Sequence, residues 1–223
     1  MGTYLNPGNS GFAEILKTDY VDKTCLISLI NSTIETKKKL TCISRPRRFG
    51  KSYAAQMLCA YYDKTCDSHA LFADYAIAGE KSYGNYINQY DVIYWDMTGI
   101  KPYTGNYKNL VPFLIRSLTD EIAAQYPKVI VKEDLSATLV NTVENAGNKI
   151  VIIIDEWDAP IRENPGIQAE CCATALLSDF SFGYLFELVS FVVDDVKDIY
   201  ALRRLIDTKV YVEIFRVDLA EPA

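Results

Sequence analysis

Lys51 and Ser52, directly after Gly50, and the acid pair Asp155 and Glu156 are the residues whose types and settings could do chemistry in this chain. An ammonium and a hydroxyl at the start of a helix suit the phosphates and metal of a nucleotide. The first N–H groups of a helix have no intrahelical acceptor, and the helix dipole adds partial positive charge there. A glycine before them lets the backbone approach a phosphate with no Cβ in the way. In this reading Lys51 reaches the β- and γ-phosphates, and Ser52 coordinates a Mg²⁺ ion that keeps several of its waters. Asp155 would hold the same metal, generally through water, while Glu156 orients and activates the attacking water.

The elements around these residues are those the chemistry needs. Leu40-Thr41-Cys42-Ile43 is an apolar strand, Ser44 to Ser52 a short loop, and Tyr53 to Tyr62 a helix. Gly-Lys-Ser alone is a common tripeptide and a basic loop is usually just solvated, so the second motif carries the weight. Ile150-Val151-Ile152-Ile153-Ile154 is a run of β-branched residues of the kind buried on both faces of a parallel sheet. Its C-terminal end presents Asp155 and Glu156 where open α/β sheets bind ligands. One position departs from the general phosphate-loop pattern: Arg45, followed by Pro46 with its fixed φ, stands where glycine is usual. Arg45, Arg47 and Arg48 add cations able to grip phosphate in planar, bidentate fashion. The expected nucleotide-binding set is therefore Arg45, Pro46, Arg47, Arg48, Phe49, Gly50, Lys51 and Ser52. Ser52 and Asp155 are the metal residues, and Lys51 and Glu156 the catalytic ones.

Size and composition bound the rest. A chain of 223 residues with 49% hydrophobic and 23% charged residues fits one substantial α/β domain and is marginal for two. A net charge of −6 argues against a surface that binds nucleic acid throughout, so any such contact would be a local patch. Six cysteines without C-x-x-C spacing, and one histidine, His69, point to neither a zinc site nor a disulfide framework. Cys42 and Cys59 fit as small apolar core fillers, whereas the adjacent Cys171 and Cys172 have no assigned role. Met1 to Pro7 lacks a basic segment followed by an apolar one, and the apolar stretch Leu176 to Val193 is interrupted by Asp179 and Glu187. No membrane span and cytoplasmic residence are the expectations.

Along the chain, Asn6 to Gly11 reads as a loop and Phe12 to Lys17 as a short helix. Asp22 is placed to cap a helix carrying Leu26, Ile27, Leu29 and Ile30, and Lys37-Lys38-Lys39 form a solvated turn. Asp67 and Ser68 can cap a short helix with Leu71 and Phe72, and another short helix spans Tyr83 to Asn88. Tyr90 to Asp96 is a second core strand, whose Asp96 reads as a solvated terminus more readily than as part of the metal shell. Gly99 to Asn106 is a connection to a long amphipathic helix from Tyr107 to Gln125, with Leu110, Phe113, Leu114, Leu118 and Ile122 inward. Val129-Ile130-Val131 suggests a short strand, and Leu135 to Asn145 a helix closed by Gly147. Asp194 to Asp207 reads as a helix and Lys209 to Val217 as a strand. The alternation of strand and helix predicts a doubly wound parallel sheet with flanking helices.

Three segments taken together resemble one family, the bacterial AAA-ATPase-like proteins, which often carry a restriction-endonuclease-like nuclease domain at the C-terminus. They are Tyr20-Val21-Asp22-Lys23-Thr24, Arg45-Pro46-Arg47-Arg48-Phe49-Gly50-Lys51-Ser52 and Ile154-Asp155-Glu156-Trp157-Asp158-Ala159-Pro160-Ile161. The family's own loop has the Arg-Pro-Arg-Arg-Phe-Gly-Lys form, so the resemblance accounts for Arg45. It implies a three-layer P-loop NTPase fold over residues 1–165, ATP at Lys51 and Ser52, and Asp155 with Glu156 as the magnesium and water-activating pair. Asp158 also matches a family position, and Trp157 stands where the family commonly has tyrosine. Residues 166–223 form a divergent C-terminal segment, a helix and a strand packed on the same domain, that does not align to the family's sensor strand, arginine and helical lid. Arg203, Arg204 and Arg216 are the arginines available there, and a nuclease domain is not expected within these residues.

Two functions follow, from different classes. One is ATP hydrolysis with Mg²⁺ coupled to conformational change. The other is a nucleotide-gated binding module, without significant turnover, acting on a protein or nucleic-acid partner. A phosphotransferase using the same loop is a third, but no acceptor site marks it. The resemblance also leaves room for a homo-oligomer, because AAA-type relatives often borrow an arginine from a neighbour.

Overall fold

In the computed structural model, residues 2–36, 40–45, 49–99, 109–132, 134–147, 149–156, 159, 186–193 and 212–215 are the ones described. The β-branched run forms strand β3 (Ile150–Asp155), and every residue of it is buried. Burial on both faces requires neighbours on both edges, and the parallel sheet supplies them. Its order is β2-β3-β4-β1-β5, with β1 Leu40–Arg45, β2 Asp91–Asp96, β4 Phe186–Val193 and β5 Val212–Phe215. All pairings are parallel. The strand bearing the basic loop, β1, is thus separated from the strand bearing the acids, β3, by β4 alone. β4 arises from the late stretch Leu176 to Val193, which carried no strand assignment in the sequence. In β2 and β3, Asp96 pairs in register with Asp155, so the two acids end their strands side by side.

Alternation along β3 feeds two cores. Ile150, Ile152 and Ile154 face helices α6 (Leu110–Gln125) and α7 (Leu135–Ala146), packing with Leu110, Leu114, Leu118, Ile122 and Leu139. Val151 and Ile153 face the opposite layer, where α1 (Ser10–Ile15), α2 (Cys25–Thr33) and α3 (Lys51–Tyr62) contribute Phe12, Ile27, Ile30, Met57 and Leu58. Helices on both faces of a parallel sheet make the three-layer architecture that the strand–helix alternation implies. The shorter α4 (His69–Phe72) and α5 (Tyr83–Tyr86), with a 3₁₀ turn at Ala76–Gly79, fill the segment between α3 and β2. Cys59 lies fully buried on α3, and burial pushes its thiol well above the usual range, as befits a core filler.

The amino-terminal segment runs antiparallel along the outer edge of β2. Tyr94 donates its N–H to the Tyr4 carbonyl, Asn6 donates to the Val92 carbonyl, and the Asn6 side-chain oxygen accepts from Val92 N–H. Glu121 of α6 fastens this segment by accepting the backbone N–H groups of Thr3, Tyr4 and Leu5.

Several local expectations are corrected. Val129-Ile130-Val131 is not a strand: Val129 N–H bonds to Tyr126 in a turn, and Ile130 and Val131 are exposed. Ile130 and Lys132 N–H are taken by the side chains of Asn141 and Thr138, so α7 satisfies this backbone in place of a ladder. Asp22 does not cap α2, whose N-cap is Thr24; its carboxylate instead accepts Thr24 N–H just upstream and Ala76 N–H from the 3₁₀ turn. At α4 the cap residue Ser68 makes no side-chain cap bond, and Asp67 accepts His69 N–H. The turn at Lys37–Lys39, residues 100–106 of the connection, the helix at Asp194–Asp207, the three tail arginines other than as sequence, and Cys171 and Cys172 lie outside the described residues. Among those described, no helix is long and apolar enough to cross a membrane.

Candidate functional site

The site forms where β1 and β3 end. Gly50 caps α3 in the left-handed region (φ 71°, ψ 33°), a conformation that costs glycine little and other residues more. The helix begins at Lys51, two residues before the apolar pattern that marks it in the sequence, because a loop lysine and serine carry no periodic signal. Ala54 N–H closes the first turn on the Gly50 carbonyl, which puts Lys51 and Ser52 in that turn. Lys51 is buried, with its side chain only 4% exposed, and its Nζ lies 3.8 Å from Glu156 Oε1. Ser52 lies close enough to Asp155 for its hydroxyl to act on the carboxylate and lower its pKa. The structure therefore brings the loop pair to Asp155, which ends β3, and to Glu156, which follows it. Of the remaining loop residues, Phe49 is partly exposed and Arg45 ends β1, while Pro46, Arg47 and Arg48 lie outside the described residues, as do Trp157 and Asp158.

Asp155 is the most heavily burdened charge of the site. It is 1% exposed, and its Oδ1 has no hydrogen-bond partner among the described residues. Burial, followed by the neighbouring charges of Asp96 and Glu156, pushes its carboxyl up to about 6, against the lowering effects of the Ser52 hydroxyl and the Lys51 ammonium. A buried carboxylate oxygen without a donor, beside a serine hydroxyl, is a hard oxygen donor set of the type Mg²⁺ takes. The residues present thus fit that ion, whose charge would offset the cost of ionising Asp155.

This has a measurable consequence. A carboxyl whose folded-state pKa lies above its unfolded value favours the fold below the unfolded value, near 4, and that contribution is lost as pH rises through about 6. From this group the metal-free protein should be less stable at pH 8 than at pH 4 by about 2 kcal/mol. Asp155→Asn should remove that dependence, raise the melting temperature at pH 8, and leave the variant with no gain in stability from added Mg²⁺. Thermal melts at the two pH values, with and without Mg²⁺, check all three.

Glu156 sits in the left-handed region at φ 51°, unusual for a residue with a side chain. Backbone held in sparsely populated conformations clusters at functional sites, where the surroundings over-determine it. Its neighbour Ala159 donates N–H to the Glu156 carbonyl, closing a turn straight after the strand. Asp96 is committed to its own turn: one of its oxygens accepts Thr98 N–H, the Thr98 hydroxyl and Gly99 N–H. The reading of Asp96 as a strand terminus agrees with these bonds, although its charge still acts on Asp155. The residue that the chemical reading of the motifs left without a role is Lys23, whose Nζ donates to the Phe49 carbonyl at 2.6 Å. Its signal lay in the Tyr20–Thr24 motif, but side-chain reach across 26 positions of sequence is not legible in spacing.

Two solved structures share the general course of the chain: a Walker-type ATPase of Pyrococcus abyssi (12% identity, TM-score 0.45) and C. elegans PCH-2 (14% identity, TM-score 0.47). The alignments cover 86% and 95% of this chain but only 50% and 47% of those structures, so the chain spans about half their length. No curated protein matches the chain. The model of the predicted AAA-ATPase family matches residues 7–182, which include the Lys23 segment, the basic loop and the acid-bearing strand. The chain belongs to the AAA-ATPase-like family of predicted AAA-ATPases.

Proposed function

We propose that this protein binds ATP with Mg²⁺ and hydrolyses it, coupling the cycle to a change of conformation. The observation that carries the reading is the convergence of Lys51 with Glu156 and of Ser52 with Asp155, from elements a hundred residues apart in sequence. Lys51 and the first-turn amides of α3 bind the phosphates, with Arg45, Pro46, Arg47, Arg48, Phe49 and Gly50 completing the loop. Ser52 and Asp155 would hold the metal, which would supply charge neutralisation at the phosphates. Glu156 orients a water and accepts its proton as the water oxygen bonds to the γ-phosphorus and the bond to the ADP oxygen breaks. On either side of Gly50, the exposed side chains of Phe49 and Tyr53 offer apolar surface suited to a nucleoside base.

The ion pair between Lys51 and Glu156 supports a second reading as well. With its carboxylate drawn to Lys51, Glu156 is not committed to a water, as a nucleotide-gated module for a protein or nucleic-acid partner would require. Phosphate release from Mg·ATP separates the two: turnover well above a Glu156→Gln control identifies an ATPase, and release equal to that control identifies the module. Repeating the assay with single-stranded and duplex DNA, and sizing the protein with bound nucleotide, tests the partner and the homo-oligomer. Absence of Mg·ATP binding by calorimetry would overturn both readings.

A further inference from the structure

Lys23 belongs to a motif that neither the fold nor the proposed chemistry yet explains. Its segment precedes α2 and is fastened on several sides. Asp22 accepts Ala76 N–H, Thr24 Oγ1 accepts Ile77 N–H, and the Tyr20 hydroxyl accepts Lys23 N–H while donating to Met57 Sδ on the inner side of α3. A backbone held this firmly aims the lysine side chain. Its ammonium donates to the Phe49 carbonyl at 2.6 Å, and a Cβ built on Gly50 would meet that nitrogen at 2.7 Å. The lysine head group therefore lies against the corner where the basic loop turns into α3.

We propose that Lys23 is a positioning residue of the nucleotide site: its ammonium clamps the Phe49 carbonyl and so fixes the direction of the Gly50 N–H. The peptide joining Phe49 and Gly50 is trans, like all those described. In a trans peptide the carbonyl and the following N–H point in opposite directions. Drawing the Phe49 oxygen toward Lys23 therefore turns the Gly50 N–H to the other side of the chain and keeps a lone-pair-bearing oxygen from facing an incoming phosphate. A Cβ at residue 50 would push the Lys23 ammonium aside, in addition to the strain that a φ of +71° imposes. Lys23 thus acts through the loop backbone and not as a ligand of the phosphates. Its contribution is pre-organisation, which raises affinity by removing an ordering cost from the binding step.

The part concerning nucleotide rests on the ATP-binding reading above; the clamp itself does not. Two measurements on the full chain keep them apart. In nucleotide-free protein, Lys23→Met should speed hydrogen exchange of the amides at residues 49–54 by about fivefold or more, with the melting temperature within a few degrees of wild type, and Lys23→Arg should restore protection. In calorimetry, Lys23→Met should weaken Mg·ATP binding about tenfold, as loss of one charge-assisted bond predicts, and Lys23→Arg should recover most of it. Unchanged exchange in Lys23→Met would overturn the clamp. Faster exchange with Mg·ATP affinity within about twofold of a binding wild type would overturn its role in the site. A wild type that binds no Mg·ATP would overturn the ATP reading, and with it the role in the site, while the exchange data still decide the clamp.

Discussion

Lys51→Ala is expected to abolish measurable ATP binding, a loss of about a hundredfold or more in affinity. Lys51 is a buried cation at the amino end of α3, and a phosphate there would meet both the ammonium and the helix's own partial charge. Removing the ammonium removes the larger of the two. The fold should tolerate the change, because alanine is the best helix former and Glu156, 19% exposed, is left partly hydrated. Asp155 registers the loss independently of nucleotide. Its carboxyl is pushed up to about 6 even with Lys51 lowering it, so in the variant it should rise further. Calorimetry with Mg·ATP checks the first expectation, and titration of the Asp155 carboxyl by carbon-detected NMR checks the second. Binding within about tenfold of wild type would show that the phosphates do not lie at Lys51.

Glu156→Gln should slow turnover by about two to four orders of magnitude while leaving ATP bound. Glutamine keeps the shape and can still orient a water, but it cannot take the proton. The ion pair adds a second effect of opposite sign. In the wild type an arriving phosphate competes with the Glu156 carboxylate for Lys51, 3.8 Å away. A neutral amide is a weaker competitor, so the variant should bind ATP more tightly than wild type even as it hydrolyses it more slowly. Single-turnover phosphate release and calorimetry on the same preparation give both numbers. Equal turnover in variant and wild type would remove Glu156 from the chemistry.

Much of this site was legible because its parts are local. Gly50-Lys51-Ser52 follows a strand and opens a helix, and both facts are written in a few neighbouring residues. The β-branched run announces a strand buried on both faces, and it is so buried. What spacing could not convey is lateral. That β4 lies between β1 and β3 depends on pairings formed across the chain, and its segment reads only as an apolar stretch with acids in it. The failed strand at Val129–Val131 shows the converse: β-branched residues without a partner edge become a loop, here fastened by Asn141 and Thr138. Asp22 looked like a helix cap because its position relative to α2 allowed it, but a competing pair of donors, Thr24 and Ala76, claimed both of its oxygens. Lys23 escaped for the same reason as β4, since its target is set by how segments dock.

The first residues of the chain have a consequence for assembly. Because Tyr4 and Asn6 already occupy the outward hydrogen-bonding groups at Val92 and Tyr94, the β2 rim is closed to a visiting strand. Copies of this protein that meet on that flank would do so through side chains and not by extending the sheet.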